Sequence, residues 1–318
     1  MYTSTVRFSI LGILLASCAF SVNDISIKYF TELMPLHQVV FFRAIIALIF
    51  TFFLLLPFEG GCSALKTNRP ILHIASGTCL VIANLSFFSG LSLISLAESS
   101  AIFFVAPLLI TIFSVVFLKE SVGFRRWLAL VLGMTGVLLV IKPGSINFTW
   151  ATCLPIIAAT MYAIRNIVTR KMGLSEKAGT MSLYLHLTFI VACGFMGLAF
   201  GDGKFSGSQN AALEFLFRAW VSPSIDMVVI IFIAGVSSAL GGYFSAQAYR
   251  YSSASVVAPF EYMTLVLAVF WGYMLWNEFP DVFSIIGIFL IIFSGVSIAI
   301  REGQIKIQSS AKYLGGRR

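Results

Sequence analysis

Ser95-Leu96-Ala97 opens an apolar run that ends at Phe117-Leu118-Lys119-Glu120, and 158 residues later Ser253-Ala254-Ser255 opens another that ends at Leu275-Trp276-Asn277-Glu278. No gap is needed between the paired stretches, and one inserted residue then sets Lys142 on Arg301 and Gly144 on Gly303. Nearer the starts, a shift of 142 sets Asn23-Asp24 on Arg165-Asn166 and Lys28 on Arg170. The second half of the chain reads as a copy of the first. The rival reading is chance similarity between apolar segments. Each copy holds an odd number of apolar runs, so two copies in series enter a bilayer in opposite directions. The pattern predicts an all-α polytopic membrane protein, with ten transmembrane helices arranged as two inverted five-helix repeats. The repeats are expected at 1–144 and 149–300, followed by a basic cytoplasmic tail at 301–318.

Composition agrees with this class. The chain is 59% hydrophobic and 11% charged, with a mean hydropathy of +0.96, whereas soluble domains carry roughly 25% charged residues. The apolar runs are continuous, not alternating, which excludes a β-barrel. Spans are expected at Phe8–Phe30, Leu36–Pro57, Ile71–Leu91, Ala97–Leu118, Trp127–Ile141, Thr149–Thr169, Gly179–Phe200, Met227–Ala248, Ser252–Trp276 and Phe283–Ile300. Alternate connections then hold fifteen of the 21 Lys and Arg, including Arg69, Arg125, Arg126 and Lys171, against only Lys142, Lys204 and Arg218 in the other set. The positive-inside bias makes both termini cytoplasmic in a bacterial inner membrane. The net charge of +8 is therefore a topology signal, and the tail after Arg301 suits anionic lipid headgroups. No basic domain interleaved with aromatics lies outside the spans, so nucleic acid is not an expected partner.

Cys18, Cys62, Cys79, Cys153 and Cys193 are scattered and form no CxxC pair, so neither metal nor redox chemistry is implied. Leu15-Ala16-Ser17-Cys18 fits a lipoprotein cleavage pattern, but the apolar run continues past Cys18 to Phe30 and cleavage would destroy the first repeat. Asn147-Phe148-Thr149 is a formal glycosylation sequon set against a span. The one long connection, Gly201–Asp226, has Leu213, Phe217 and Trp220 at helical spacing and reads as a short interfacial helix on the outer side. Pro107 in the fourth span and Pro259 in the ninth are hinge candidates. Gly241-Gly242 in the eighth serves either bending or close helix packing.

Ionisable side chains inside spans are costly and mark functional candidates. Asp24 and Arg43 each lie roughly 10 Å below the outer surface at 1.5 Å per residue, with Asn23 and Lys28 nearby. They read as an outer polar pair, serving either as a gate or binding element or as a buried pair that fixes helix register. Arg165 and His186 lie toward the inner ends of the sixth and seventh spans, and Glu261 lies near the midplane of the ninth beside Pro259. Together with Tyr162, Tyr184 and Tyr262 they are expected to line the inner half of one cavity. A mid-span carboxylate suits a cationic or polar substrate or a cycled proton. Arg165 has the alternative of snorkelling, and His186 of simple packing. Asn84, Ser99, Ser100, Asn166 and Gln247 complete the polar list, each able to bond a neighbouring backbone instead. No nucleophile elbow, Walker A loop or HExxH appears. Transport is thus the expectation over catalysis, and a lipid-modifying enzyme is the distant alternative. No cofactor is implied.

Taken together, the paired halves, the acids after the two aligned spans and Lys142-Pro143-Gly144 resemble the drug/metabolite transporter superfamily, specifically its EamA-type ten-helix members. The resemblance covers nearly all of 8–300 and implies inverted five-helix repeats around a central cavity with alternating access. Within that family, Asn23-Asp24 with Lys28, and Ala258-Pro259-Phe260-Glu261-Tyr262, are similar to bacterial uptake carriers for S-adenosylmethionine or riboflavin. Leu265 stands where the first half has Pro107, which departs from the paired pattern. The expected substrate is a small polar or charged metabolite, with export of amino acids or related metabolites as the alternative. Protons and a second copy of the chain are candidate partners.

Overall fold

The computed structural model describes residues 2–59, 61, 65–119, 123–142, 150–172, 176–251, 260–261, 263–294 and 296–297. Among these residues the secondary structure is helical, without a β-strand. The principal helices are α1 (Tyr2–Tyr29), α2 (Leu36–Phe50), α3 (Pro70–Leu91), α4 (Leu96–Phe103), α5 (Ala106–Leu118), α6 (Phe124–Ile141), α7 (Cys153–Met172), α8 (Ala178–Phe200), α9 (Ala211–Phe217), α10 (Ile225–Tyr251), α11 (Met263–Trp276) and α12 (Val282–Ser294). Seven helical stretches are long and apolar enough to cross a membrane: Phe8–Tyr29, Leu36–Leu55, Pro70–Leu91, Leu96–Phe117, Trp150–Thr169, Ala178–Phe200 and Ile225–Ala248. Shorter apolar helices fall at Val131–Val140, Met263–Trp276 and Val282–Ser294, within the expected fifth, ninth and tenth spans. The chain is a multi-pass membrane protein. The described part of the ninth span is shorter than expected, and residues 252–259 and 262, with Pro259 and Tyr262, lie outside the described residues. The same is true of the tail from 301.

Why the helices bend where they do is local chemistry. The fourth span is interrupted at Phe104–Val105, between α4 and α5, just ahead of Pro107. Proline lacks an amide hydrogen and crowds the preceding turn, so the helical ladder breaks on its N-terminal side. Lys119 and Asn277, equivalent under the 158-residue shift, both adopt left-handed backbone with φ of 54°. That conformation is unusual for a lysine, and it ends the two aligned spans in the same way. No break occurs at Gly241-Gly242: α10 runs through, and Gly241 makes room for the Phe20 ring. Between α6 and α12, a Cβ on Gly136 or Gly287 would meet the other's carbonyl oxygen, so only glycine permits that crossing.

Packing joins the two halves more than it joins neighbours in sequence. α1 packs on α10 and α3 packs on α7; α2 packs on both α8 and α10, and α8 also packs on α3. Exchanging first-half spans for their second-half equivalents turns each of the first two pairings into the other. The main apolar core, including Phe30, Val39, Val81, Phe88, Phe189 and Ile231, sits where these helices meet. α9 is packed on the bundle: Phe215 is fully buried, whereas Leu213 is exposed. Gln38 donates to the Val221 carbonyl at 2.7 Å and accepts from the Val221 amide at 3.0 Å, and Trp220 stacks among His37, Phe41 and Phe42. One end of the bundle is thereby covered and is called the α9 end below.

Candidate functional site

Two polar clusters sit in the bundle on either side of its middle. Toward the α9 end, the Arg43 guanidinium on α2 is buried and donates from Nη1 to Asn23 Oδ1 on α1 at 2.8 Å and from Nη2 to Asn84 Oδ1 on α3 at 3.0 Å. Its central carbon lies over the rings of Phe88 (6.0 Å to the centroid) and Phe189 (5.5 Å). Charge-assisted hydrogen bonds and aromatic faces together replace the hydration that a buried guanidinium loses. Asp24 does not pair directly with Arg43. Asn23 stands between them, donating from Nδ2 to Asp24 Oδ1 at 3.0 Å while its carbonyl oxygen accepts from the arginine. The expected outer pair is therefore a three-membered relay, since one amide offers both a donor and an acceptor.

Closer to the same end, Lys28 Nζ reaches both carboxylate oxygens of Glu278, at 2.6 and 2.5 Å, and lies 4.7 Å from the Trp276 ring centroid. Glu278 Oε2 also accepts from the Leu96 amide at 3.3 Å, at the start of α4, where Ser95 caps the helix by accepting from the Glu98 amide. One carboxylate thus ties α1, α4 and the end of α11. Trp271 Nε1 donates to Ser21 Oγ at 2.6 Å, adding a second tie between α11 and α1.

Toward the opposite end, Arg165 on α7 lies over the Tyr162 ring at 5.8 Å. Its Nε is buried without a hydrogen-bond partner. Tyr162 feels the charges of both Arg165 and Glu261, which brings these three expected site residues into one neighbourhood. Tyr162 also packs on Phe103 at 5.3 Å, and Asn166 spends its amide on the Tyr162 carbonyl of its own helix at 2.9 Å. A small cavity of about 20 Å³ opens between α3, α7 and α8, lined by His73, Ser76, Arg165 and Thr169 with Met181 and Leu185. At its rim Tyr184 stacks on His73 with centroids 4.8 Å apart and donates to the Leu65 carbonyl. His73 Nε2 approaches Glu176 Oε2 to 3.3 Å without hydrogen-bond alignment, and Thr67 Oγ1 donates to Glu176 at 3.0 Å.

The sequence model of the EamA-like transporter family matches the chain twice, over 7–142 and 149–300. The chain belongs to that family. An S-adenosylmethionine uptake transporter of Rickettsia bellii is 29% identical over 281 residues, covering 88% of this chain and 89% of the relative. A riboflavin transporter of Rhizobium johnstonii is 25% identical, covering 92% and 91%. The pseudopaline exporter CntI of Pseudomonas aeruginosa strain PAO1 is 23% identical, covering 94% and 98%. A solved crystal structure superposes with a TM-score of 0.68 at 15% identity, covering 95% of this chain and 99% of that one, a likeness of fold.

In this EamA-like chain the structure divides the expected site residues differently from the sequence. His186 does not join Arg165 at the inner cavity: its buried ring lies within electrostatic reach of Arg43 instead. The reason is helical phase, because depth along a span says nothing about which neighbour a side chain faces. Asn84 joins the Arg43 cluster, while Tyr162, Arg165, Asn166 and Glu261 form the other, with Tyr184 beside His73. Glu278, His73, Glu176, Ser76 and Thr169 were not singled out as site residues. The Lys28–Glu278 tie had a readable signal, two opposite charges at span ends on one predicted side. Ser76 and Thr169 had none.

Proposed function

We propose that this EamA-like transporter is a bacterial inner-membrane carrier that takes up S-adenosylmethionine, or a closely similar cofactor-like metabolite, by alternating access. It does so with ten spans in two inverted repeats, 1–144 and 149–300, and with both termini in the cytoplasm. The observation that carries the mechanism is the asymmetry of the bundle: the α9 end is closed by side-chain bonds, while the cavity beside Arg165 lies at the other end. Alternating access needs two such ends that open in turn around a central site. The exchange of pairings α1–α10 and α3–α7 supports the inverted repeat, and the fifteen-to-three division of basic residues supports a periplasmic α9 end.

Near-full-length similarity to named S-adenosylmethionine uptake transporters supports the substrate class. Arg165 and Glu261, with the Tyr162 ring, offer both signs of charge and an aromatic face to a zwitterionic, cationic nucleoside. Asn23, Asp24 and Arg43 act at the outer gate, Pro107 and Pro259 as hinges, and Tyr262 with Glu261 at the midplane. Export is a second reading, favoured by the pseudopaline exporter relative. The deciding experiment is uptake of labelled S-adenosylmethionine, riboflavin and amino acids into oriented proteoliposomes, with and without a pH gradient. Saturable entry of S-adenosylmethionine is expected, and entry of none of the panel would sink the uptake reading. A reporter fused after Arg318 that is active only in the periplasm would overturn the topology.

A further inference from the structure

We propose that the cavity between α3, α7 and α8 is a subsite for the carboxylate of an amino-acid-bearing substrate, with Arg165 as its cation and Ser76 and Thr169 as flanking donors. For the identity of the whole substrate this rests on the S-adenosylmethionine reading above; the carboxylate chemistry comes from the cavity itself.

Three observations carry it. First, the two arginines within the expected spans are bonded unequally. Both have a buried Nε without a partner, but Arg43 gives two hydrogen bonds from its Nη atoms and lies over two phenylalanine rings, whereas Arg165 has the Tyr162 ring and, among the described residues, no ion pair to an acid. A guanidinium N–H held away from water without an acceptor is costly, and an anion placed beside it relieves that cost. Second, the cavity lined by Arg165 also carries two hydroxyls, Ser76 Oγ and Thr169 Oγ1, 3.4 Å apart. Hydroxyls can turn to donate, and a planar two-oxygen anion suits both them and the guanidinium fork. Third, the acid beside the cavity-lining His73 is engaged: Glu176 faces His73 and takes the Thr67 hydroxyl. Met181 and Leu185 also line the cavity, which lowers the local dielectric and strengthens a charge pair formed there.

Size narrows the ligand group. About 20 Å³ is room for little more than one water-sized group, so only a small head group enters and the rest of the ligand lies outside. Tyr162 is one turn back along α7 from Arg165, and Glu261 acts on the same ring. A negative charge is therefore close to where the cationic part of such a substrate would lie.

The test compares S-adenosylmethionine with its decarboxylated form in proteoliposome uptake by wild type, Arg165→Gln, Arg165→Lys and the Ser76→Ala/Thr169→Val double variant. Loss of a charge-assisted pair predicts at least about a tenfold rise in the half-saturating concentration of S-adenosylmethionine in Arg165→Gln, with that of the decarboxylated form unchanged. Arg165→Lys keeps the charge without the fork and should fall between. Equal effects on both substrates, or on neither, overturn the subsite. If Arg165→Gln fails to insert, the other two variants carry the same comparison. A second arm needs no transport: thermal shifts of purified protein with methionine, 3-(methylthio)propylamine or inorganic phosphate. Stabilisation by methionine alone, lost in Arg165→Gln and reduced in Arg165→Lys, upholds the subsite even if wild type carries no S-adenosylmethionine, in which case only the uptake reading falls. No shift with methionine, or an equal shift with the amine or phosphate, overturns it.

Discussion

The clusters around Arg43 and Arg165 each hold a guanidinium with a buried, unpartnered Nε, yet in the first the Nη donors are filled and in the second they are open. At Arg43, two asparagines from two other helices and two phenylalanine faces surround the guanidinium, and beyond it Lys28 and Glu278 close the α9 end. At Arg165, one ring and a cavity with two hydroxyls meet the guanidinium. A guanidinium whose Nη donors are bonded to other helices holds a structure together, while one whose Nη donors are open is available to something that comes and goes. On the proposed alternating-access reading, the contrast would separate a closing element from a loading element within one bundle.

The strongest way to break that contrast is to reverse the Lys28–Glu278 tie. Lys28→Glu should reduce transport by at least about tenfold, because removing one partner of a buried pair costs several kcal/mol and biases the carrier toward an open α9 end. Lys28→Glu/Glu278→Lys should recover most of the activity. Labelling of Ser21→Cys by an impermeant thiol reagent, in a cysteine-free background, should rise in the single variant and fall back in the double. No change in labelling would remove Lys28–Glu278 as a closing element.

Stability comes next. Arg43→Gln leaves Asn23 and Asn84 short of a charged donor and should cost about 2–3 kcal/mol, read as a lowered unfolding midpoint in detergent. Arg165→Gln should cost less than about 1 kcal/mol, having no such bonds to lose. Equal losses at both arginines would erase the distinction between filled and open clusters. Glu261→Gln keeps the size and removes the charge; transport should fall strongly, or its pH dependence flatten, with normal insertion. Wild-type rates from mildly acidic to mildly alkaline pH would leave Glu261 a packing residue.

The smallest effect is expected at the surface of the α9 end. Asp281 accepts from Lys142 Nζ at 2.5 Å and from the Ser284 amide at 3.1 Å, capping α12. The bond from Lys142, then that from Ser284, brings its pKa down from 3.8 to about 2. Because folding lowers this pKa, the stabilisation is present in full above about pH 4 and is lost as acid brings the pH down through about 2. The carboxylate is half exposed, so screening keeps the term below about 1 kcal/mol. Asp281→Asn should flatten the stability of the detergent-solubilised protein between pH 4 and 2, and an unchanged slope would show that the ion pair contributes nothing there.

Membrane residence, the helical class and most span positions were legible from residue order alone, because a helix crossing lipid must satisfy its own backbone and present apolar side chains along about 20 residues. The depth of a charge along its span was legible for the same reason: Asp24, Arg43, Arg165 and Glu261 could be ranked by counting. What counting cannot supply is the direction in which a side chain points around its helix, and against which neighbour. That is why His186 was expected with Arg165 and is found near Arg43, and why Asn23, not Asp24, receives the guanidinium. Lys28 and Glu278 lie 250 residues apart in sequence, and only the packing of α1 against α11 brings them together. The sequence by itself determined how many apolar segments there are and which charges lie within them, since transfer into lipid depends on each segment's own composition. Only the tertiary structure decided which arginine is filled and which is open, because that depends on helix rotation and on bonds between segments that no local signal encodes.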